Sequence, residues 1–181
     1  KLFSTSSSPK KPTPDFSNNG AVPYTGYASD PVFSLPSGFY TGQQSLVLST
    51  TFPGGQIRFT TDGSFPKDNS PIYTSPIIID TTRVVRARVY STAALPSESM
   101  TNTYFINESS TLPVISLSTT PSNLFDWFTG IYVMGPDADT NIPFFGANFW
   151  QEWEIPGHLE YFDKQKIQKV DQDVGFEIFG N

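Results

Sequence analysis

The sequence predicts an all-β protein: an antiparallel β-sandwich over residues 31–106, followed by a smaller β-rich unit with one short helix over residues 112–181. Three observations predict it. Apolar residues recur with period two in short runs, as Ile57 and Phe59 do against Arg58 and Thr60, the pattern of strands with one buried face. Turn chemistry separates the runs, at Pro53-Gly54-Gly55, at Asp62-Gly63 and at Leu95-Pro96-Ser97. Helix signals are confined to one place, where Thr120 can cap and Pro121 suits a first turn, and Gly130 stops the run soon after. The 181 residues exceed a usual single domain of about 100–150 and leave room for two small units.

Residues 1–30 are rich in Ser, Pro, Thr and Asn, and Pro9, Pro12, Pro14 and Pro23 bar a helix or a central strand. Phe3, Phe16, Tyr24 and Tyr27 are anchors that a pure spacer does not need, so the segment is expected to be an extended arm docking some of them on the folded part. Strands are expected at 32–35, 45–51, 56–61, 77–80, 83–90 and 100–106. The turn after the third has a mechanism. Asp62 can bond the backbone ahead of it, and Gly63 can take a positive φ that a β-carbon would penalise by about 1–2 kcal/mol. Pro66 and Pro71 then exclude a central strand from the connection. Within 83–90, Val85, Ala87 and Val89 point to the core while Arg86, Arg88 and Tyr90 point out. That outward row is either a solvated face with cross-strand acids, the commoner case on sandwiches, or a binding strip for a glycan or an acidic partner.

The strings PVFSLPSGFYTG (31–42), IRFTTDGSFPKDNSPIYTSPI (57–77), VVRARVY (84–90) and TNTYFI (101–106) come in an order and spacing that resemble the Ig-like module at the C-terminus of chitobiases and β-hexosaminidases. The resemblance implies an Ig-like sandwich over about 31–106 and an accessory role. It assigns Asp62 and Gly63 to a structural turn and supplies no catalytic residue.

Residues 107–111 form a polar joint, whose Asn107-Glu108-Ser109 matches the short glycosylation pattern. A strand is expected at 112–117, the helix at 123–128 and a strand at 131–134. LPVISLSTTPSNLFDWFTGIYVMG (112–135) and HLEYFDKQKIQKVDQDVGFEIFGN (158–181) resemble the opening of the spore-coat protein H (CotH) family, which is similar to protein kinases in fold. In that family a Lys-bearing strand and acidic metal-binding motifs follow the Gly-Asn pair, here Gly180-Asn181. The resemblance therefore implies leading strands only, with ATP and Mg as cofactors of a complete CotH-like kinase and no cofactor in this chain. A strand at 159–162 is expected to pair, through a turn at 163–166, with the terminal apolar run that begins at Val174 and ends at Phe179. That run is expected to be an edge open to strand pairing by a neighbour.

Composition and charge exclude several classes. Residues 1–29 carry three Lys against Asp15, residues 30–106 five charges of each sign, and residues 107–181 eleven acids against three Lys, giving +2, 0 and −8. An acidic surface repels phosphate backbones, so nucleic acid is not an expected partner. There is no cysteine, no membrane-spanning apolar run and no Gly-x-Ser-x-Gly elbow, and His158 is the only histidine. The chain begins with Lys and is expected to be a processed or excised segment, and the two resemblances imply a secreted or bacterial cell-surface protein. Asp137-x-Asp139-x-Asn141 opens like a calcium loop, but Ile142 and Asn148 stand where an EF-hand needs Gly and Glu, so a calcium loop of another type helped by Glu152 and Glu154 stands beside the commoner reading, an acidic surface loop. Glu152 and Glu154 would share a face of an extended segment, an arrangement that suits glycoside hydrolysis but is commoner as a wet strand face. Pro143-Phe144-Phe145-Gly146 to Trp153 is an apolar insertion whose Phe144, Phe145, Trp150 and Trp153 are the best candidates for a contact surface with a protein or a cell-surface glycan. Packing into the core is the commoner role for Phe149, Trp150 and Trp153. The function expected is a non-catalytic spacer and protein-contact segment, with a glycan-binding module or a fragment of a kinase-like phosphotransferase as alternatives.

Overall fold

Two short antiparallel ribbons, a four-stranded sheet and a three-stranded sheet lie one on another in the computed structural model, which describes residues 24 and 26–179. In chain order the strands are β1 (Val32–Phe33), β2 (Gly38–Tyr40), β3 (Gln44–Leu46), β4 (Leu48–Ser49), β5 (Gln56–Thr60), β6 (Ile77–Ile79), β7 (Arg83–Tyr90), β8 (Met100–Ile106) and β9 (Val114–Ser118). The helix α1 (Pro121–Phe125), a 3-10 turn at Asn148–Trp150, β10 (Ile155–Phe162) and β11 (Gln168–Phe176) follow. The fold is all-β, as the alternation predicts.

The four-stranded sheet has the order β2-β8-β7-β5, and the ribbons β1-β4 and β3-β6 cover one of its faces. Val85, Ala87 and Val89 from β7 and Tyr104 and Ile106 from β8 meet Leu46, Leu48 and Ile79 from the ribbons there. Val85, Ala87, Val89, Leu46 and Ile79 are fully buried, and each of the four larger side chains contributes about 1.5–3 kcal/mol of hydrophobic stabilisation before conformational entropy is charged against it. The pairings are antiparallel with one exception. β2 runs parallel to β8, because the chain crosses between sheets at Leu35-Pro36-Ser37. The strand expected at 45–51 is two. Ser34 donates its N–H to the Val47 carbonyl (2.9 Å) and accepts the Val47 N–H on its hydroxyl (2.9 Å), and there the chain changes partner from β6 to β1.

Most of the expected arm, Phe3 and Phe16 included, lies outside the described residues. Of its expected anchors that are described, Tyr24 is half-buried and Tyr27 is not, and backbone hydrogen bonds tie down the residues that follow. Ala28 N–H donates to the Leu95 carbonyl (2.8 Å) and Leu95 N–H to the Gly26 carbonyl (3.0 Å), while Tyr27 is 68% exposed.

The three-stranded sheet has the order β11-β10-β9. β10 and β11 form a hairpin closed by Asp163, whose Oδ1 accepts the N–H of Gln165 (2.9 Å) and of Ile167 (3.0 Å), with Lys166 in the left-handed region (φ 63). This tight closure starts the return strand at Gln168. Leu159 therefore faces Gln172, Val174 faces Gly157, and the strand ends at Phe176, short of the Phe179 expected from the sequence. β11 is an edge strand of its sheet.

Three local expectations give way. The helix spans Pro121–Phe125 and stops short of Phe128, because Asp126 is already extended (φ −63, ψ 133). Thr120 makes no cap bond; its Oγ1 accepts the Phe65 N–H from the sandwich (3.0 Å). Residues 131–134 form no strand. Ile131 N–H donates to the Asn123 carbonyl (3.0 Å) and Tyr132 N–H to the Leu124 carbonyl (2.9 Å), which folds the segment back on α1.

Candidate functional site

The face of the four-stranded sheet opposite the ribbons is where the polar residues gather. In β8, Thr101, Thr103 and Phe105 point that way, and in β7 Arg86, Arg88 and Tyr90 do, because side chains alternate across a sheet. β10 lies over them with His158, Glu160 and Phe162, all buried. Phe39 and Phe105 stack at 4.4 Å, and Phe162 meets both edge-on at 5.6 and 5.5 Å. The T-shaped geometry lets the positive ring edge meet the negative face and contributes about 0.5–1.5 kcal/mol per pair beyond area.

Glu160, 1% exposed, sits beside this aromatic cluster. It accepts hydrogen bonds from the hydroxyls of Ser37 and Thr103, from Thr103 N–H (3.4 Å) and from Gln168 Nε2 (3.1 Å). Burial pushes its carboxyl above the usual range, and the hydrogen bonds and His158 pull against that shift. His158 Nδ1 is 2.9 Å from Asp173 Oδ1 in a hydrogen bond. Its Nε2 lies 3.0 Å from Asp171 Oδ1 without the alignment of one. Glu160 and His158 are buried in the seam, while Asp171 and Asp173 reach His158 from its exposed edge.

Arg86 is 6% exposed, so the outward row of β7 is not a solvated face. Its Nη1 donates to the Gly63 carbonyl (3.1 Å) and its guanidinium lies 5.4 Å from the centre of the Phe65 ring. Burial lowers its pKa and Asp173 raises it. Arg88 stacks on the other reach of Phe65 (5.2 Å), donates to the Ser97 carbonyl and is half-buried. The loop that supplies Phe65 is held by Asp62, whose Oδ1 accepts Ser64 N–H (2.9 Å), and by Gly63 at φ 83. Gly63 also lies close under the second unit, since a Cβ there would be 2.9 Å from the Thr119 carbonyl oxygen.

The insertion between α1 and β10 is the other place where candidate residues meet. Asn148, 4% exposed, laces it down by donating from Nδ2 to the carbonyls of Trp127 (3.2 Å) and Gly130 (3.0 Å). Trp150 Nε1 donates to the Pro143 carbonyl (2.8 Å), and its ring is 5.7 Å from that of Phe145. Phe145 is 65% exposed, and Trp150, Trp153 and Trp127 are exposed too, while Phe144 is half-buried at φ 62. Trp127, Met134, Pro136, Asp139, Thr140 and Phe144 line a cleft of about 360 Å³. Asp139 Oδ1 accepts the N–H (3.0 Å) and Nδ2 (3.2 Å) of Asn141, and these bonds hold its carboxyl below the usual range. Asp137 is exposed on the same loop. Among the described residues no three His, Asp or Glu side chains gather as metal ligands. Glu152 and Glu154 lie on an exposed irregular segment, not on a strand.

Trp127, Asn148 and Glu160 are the residues that sequence reasoning missed. The signal for Glu160 lay in His158-Leu159-Glu160-Tyr161-Phe162, whose period two puts His, Glu and Phe on one face. Nothing local marks that face as the buried one.

Residues 35–102 match the family model of the chitobiase/beta-hexosaminidase C-terminal domain. The match spans the sandwich from Leu35 into β8 and stops before β9. No curated protein and no solved structure matches the chain. No helix among the described residues is long and apolar enough to cross a membrane.

Proposed function

We propose that this chain is a non-catalytic accessory segment of a secreted or surface-attached bacterial protein, in which an Ig-like module and the leading strands of a CotH-like domain serve as spacer and protein-contact module. One observation carries the reading: the sandwich spends its second face on the three-stranded sheet, through Phe39, Phe105 and Phe162 and through Glu160 with Ser37 and Thr103. A spacer has to hold what it joins at a fixed distance, and a packed seam does that where a flexible tether would not. The carbohydrate-associated family match over 35–102 supports the accessory role and the location.

A phosphotransferase reading belongs to a complete CotH-like kinase with ATP and Mg. It draws nothing from Glu160, which is buried and hydrogen-bonded to Ser37 and Thr103. The alternative of glycan binding is favoured by the exposed aromatic side chains around Trp127 and Phe145. The test is an amide NMR study of the whole chain, combining relaxation with a titration of Mg·ATP. Common tumbling of the sandwich and the three-stranded sheet, with no nucleotide shifts, is the expected result. Independent tumbling overturns the spacer role, and saturable nucleotide shifts overturn the non-catalytic one.

A further inference from the structure

We infer that the cleft between Trp127 and Phe144 is a binding subsite for an uncharged pyranose of an oligosaccharide, with the Trp127 ring as platform and Asp139 and Thr140 as polar contacts. The inference rests on the glycan-binding alternative above and gives it a place and a ligand class.

The cleft has the make-up that a sugar ring needs. A pyranose presents apolar C–H groups on its faces and hydroxyls around its rim, so it is held by an aromatic plate beneath and hydrogen-bonding groups at the side. Trp127 is 52% exposed although its backbone is tied down by Asn148, so a large aromatic is held out in solvent by a buried polar bond. Its electron-rich face attracts the polarised C–H groups of a sugar as it attracts other positive edges. Phe144 closes the far side from the left-handed region (φ 62), where an aromatic residue is a genuine outlier and such outliers cluster at ligand sites. Met134 and Pro136 complete an apolar floor.

The rim is polar and anionic. Asp139 is kept ionised by the two hydrogen bonds from Asn141, and a carboxylate accepts hydroxyl protons more strongly than a neutral oxygen does. The volume, about 360 Å³, is at the small end of ligand sites and fits one or two rings of a chain. Charge selects among sugars. Residues 107–181 carry a net −8, so uronate and sulfated chains are repelled while neutral hexose and N-acetylhexosamine chains are not.

The experiment titrates the whole chain with cellotetraose, with the tetramer of N-acetylglucosamine and with an oligogalacturonate, following amide and indole NMR signals. The expected result is saturable shifts at the Trp127 indole and the 139–140 amides with a neutral tetramer, and none with the oligogalacturonate. Trp127→Ala is expected to weaken binding about tenfold or more. Asp139→Asn is expected to weaken it severalfold, and Asp139 is exposed, so that variant keeps the fold. Unchanged sandwich amide signals identify a folded Trp127→Ala protein. Neutral-sugar binding that survives both substitutions leaves glycan binding standing and overturns this site. No binding of either neutral tetramer overturns both. Equal binding of the oligogalacturonate overturns the ligand class, and shifts at Trp127 with a basic peptide but no sugar make the cleft a protein contact.

Discussion

Replacing Glu160 tests the seam at its most costly group. Glu160→Ala removes the acceptor of four hydrogen bonds, each with a net contribution of about 0.5–1.5 kcal/mol, which alone would put the loss near 4 kcal/mol. The neighbours have alternatives, however. Ser37 Oγ can keep its bond to the Thr103 carbonyl (2.8 Å), Thr103 Oγ1 lies 2.7 Å from Ser116 Oγ, and Thr103 N–H already donates to Ser37 Oγ (3.0 Å). Gln168 Nε2 retains Asp171 Oδ2 at 3.2 Å. No donor is orphaned, and the cost of burying a charge disappears with the carboxylate. What remains is one lost methylene at about 0.8 kcal/mol, the cavity left where the carboxyl group stood and a small net hydrogen-bond term, so the expected loss is about 2–3 kcal/mol. Glu160→Gln keeps the volume and is expected within about 1 kcal/mol of the parent at neutral pH. The two should also differ in pH dependence. Burial raises the folded pKa of Glu160 above its unfolded value, so the native state binds a proton more readily. Stability from this group therefore falls as pH rises between the ordinary carboxylate value and the raised one, and the penalty is fully present above that window. Urea denaturation of parent and Glu160→Gln across that range is the assay, and the parent should gain on the variant as pH falls. A parent that instead loses ground on acidification would show that the hydrogen bonds from Ser37 and Thr103 and attraction to His158 outweigh burial, and an alanine loss above about 5 kcal/mol would show that the alternative partners do not form.

Phe162→Ala empties the centre of the aromatic cluster, where Phe162 is fully buried, and should cost about 3–5 kcal/mol by urea denaturation. Gly63→Ala meets a positive φ worth about 1–2 kcal/mol and the Thr119 carbonyl 2.9 Å from its new Cβ; it should lower Tm and reduce hydrogen-exchange protection on both sides of the contact. Val174→Lys places a charge on the outer face of the β11 edge, and sedimentation should show less concentration-dependent association than the parent; equal association would refute pairing through this edge.

β7 was readable from the sequence because it alternates from Val85 to Tyr90, and β8 because its TNTYFI string falls where the family resemblance places a strand. β2 was not. Three residues between Pro36 and Gly42 carry no period, and what makes Gly38–Tyr40 a strand is its parallel partner β8. The break at Val47 depends on Ser34, and the turn at 131–134 on the carbonyls of α1, neither of which a local pattern reveals. At the seam the difficulty is one of layers. Alternation says which residues share a face, but in a three-layer stack both faces of the middle sheet are covered, so Arg86 on the polar face is as buried as Ile57 on the apolar one. The aromatic insertion was visible in composition at Phe144 to Trp153, whereas Trp127 joins it through the bond from Asn148 and the cleft it shares with Phe144, contacts far apart in sequence.

The central claim is that the sandwich and the three-stranded sheet stand or fall together. All three tryptophans, Trp127, Trp150 and Trp153, lie beyond residue 111, so their fluorescence reports the second unit alone, while hydrogen exchange at the β7 and β8 amides reports the sandwich. Followed through one urea titration, the two signals should share a midpoint and a slope. Loss of the tryptophan signal while the β7 and β8 amides stay protected would contradict the account, because the sandwich would then be complete without the sheet that covers its second face.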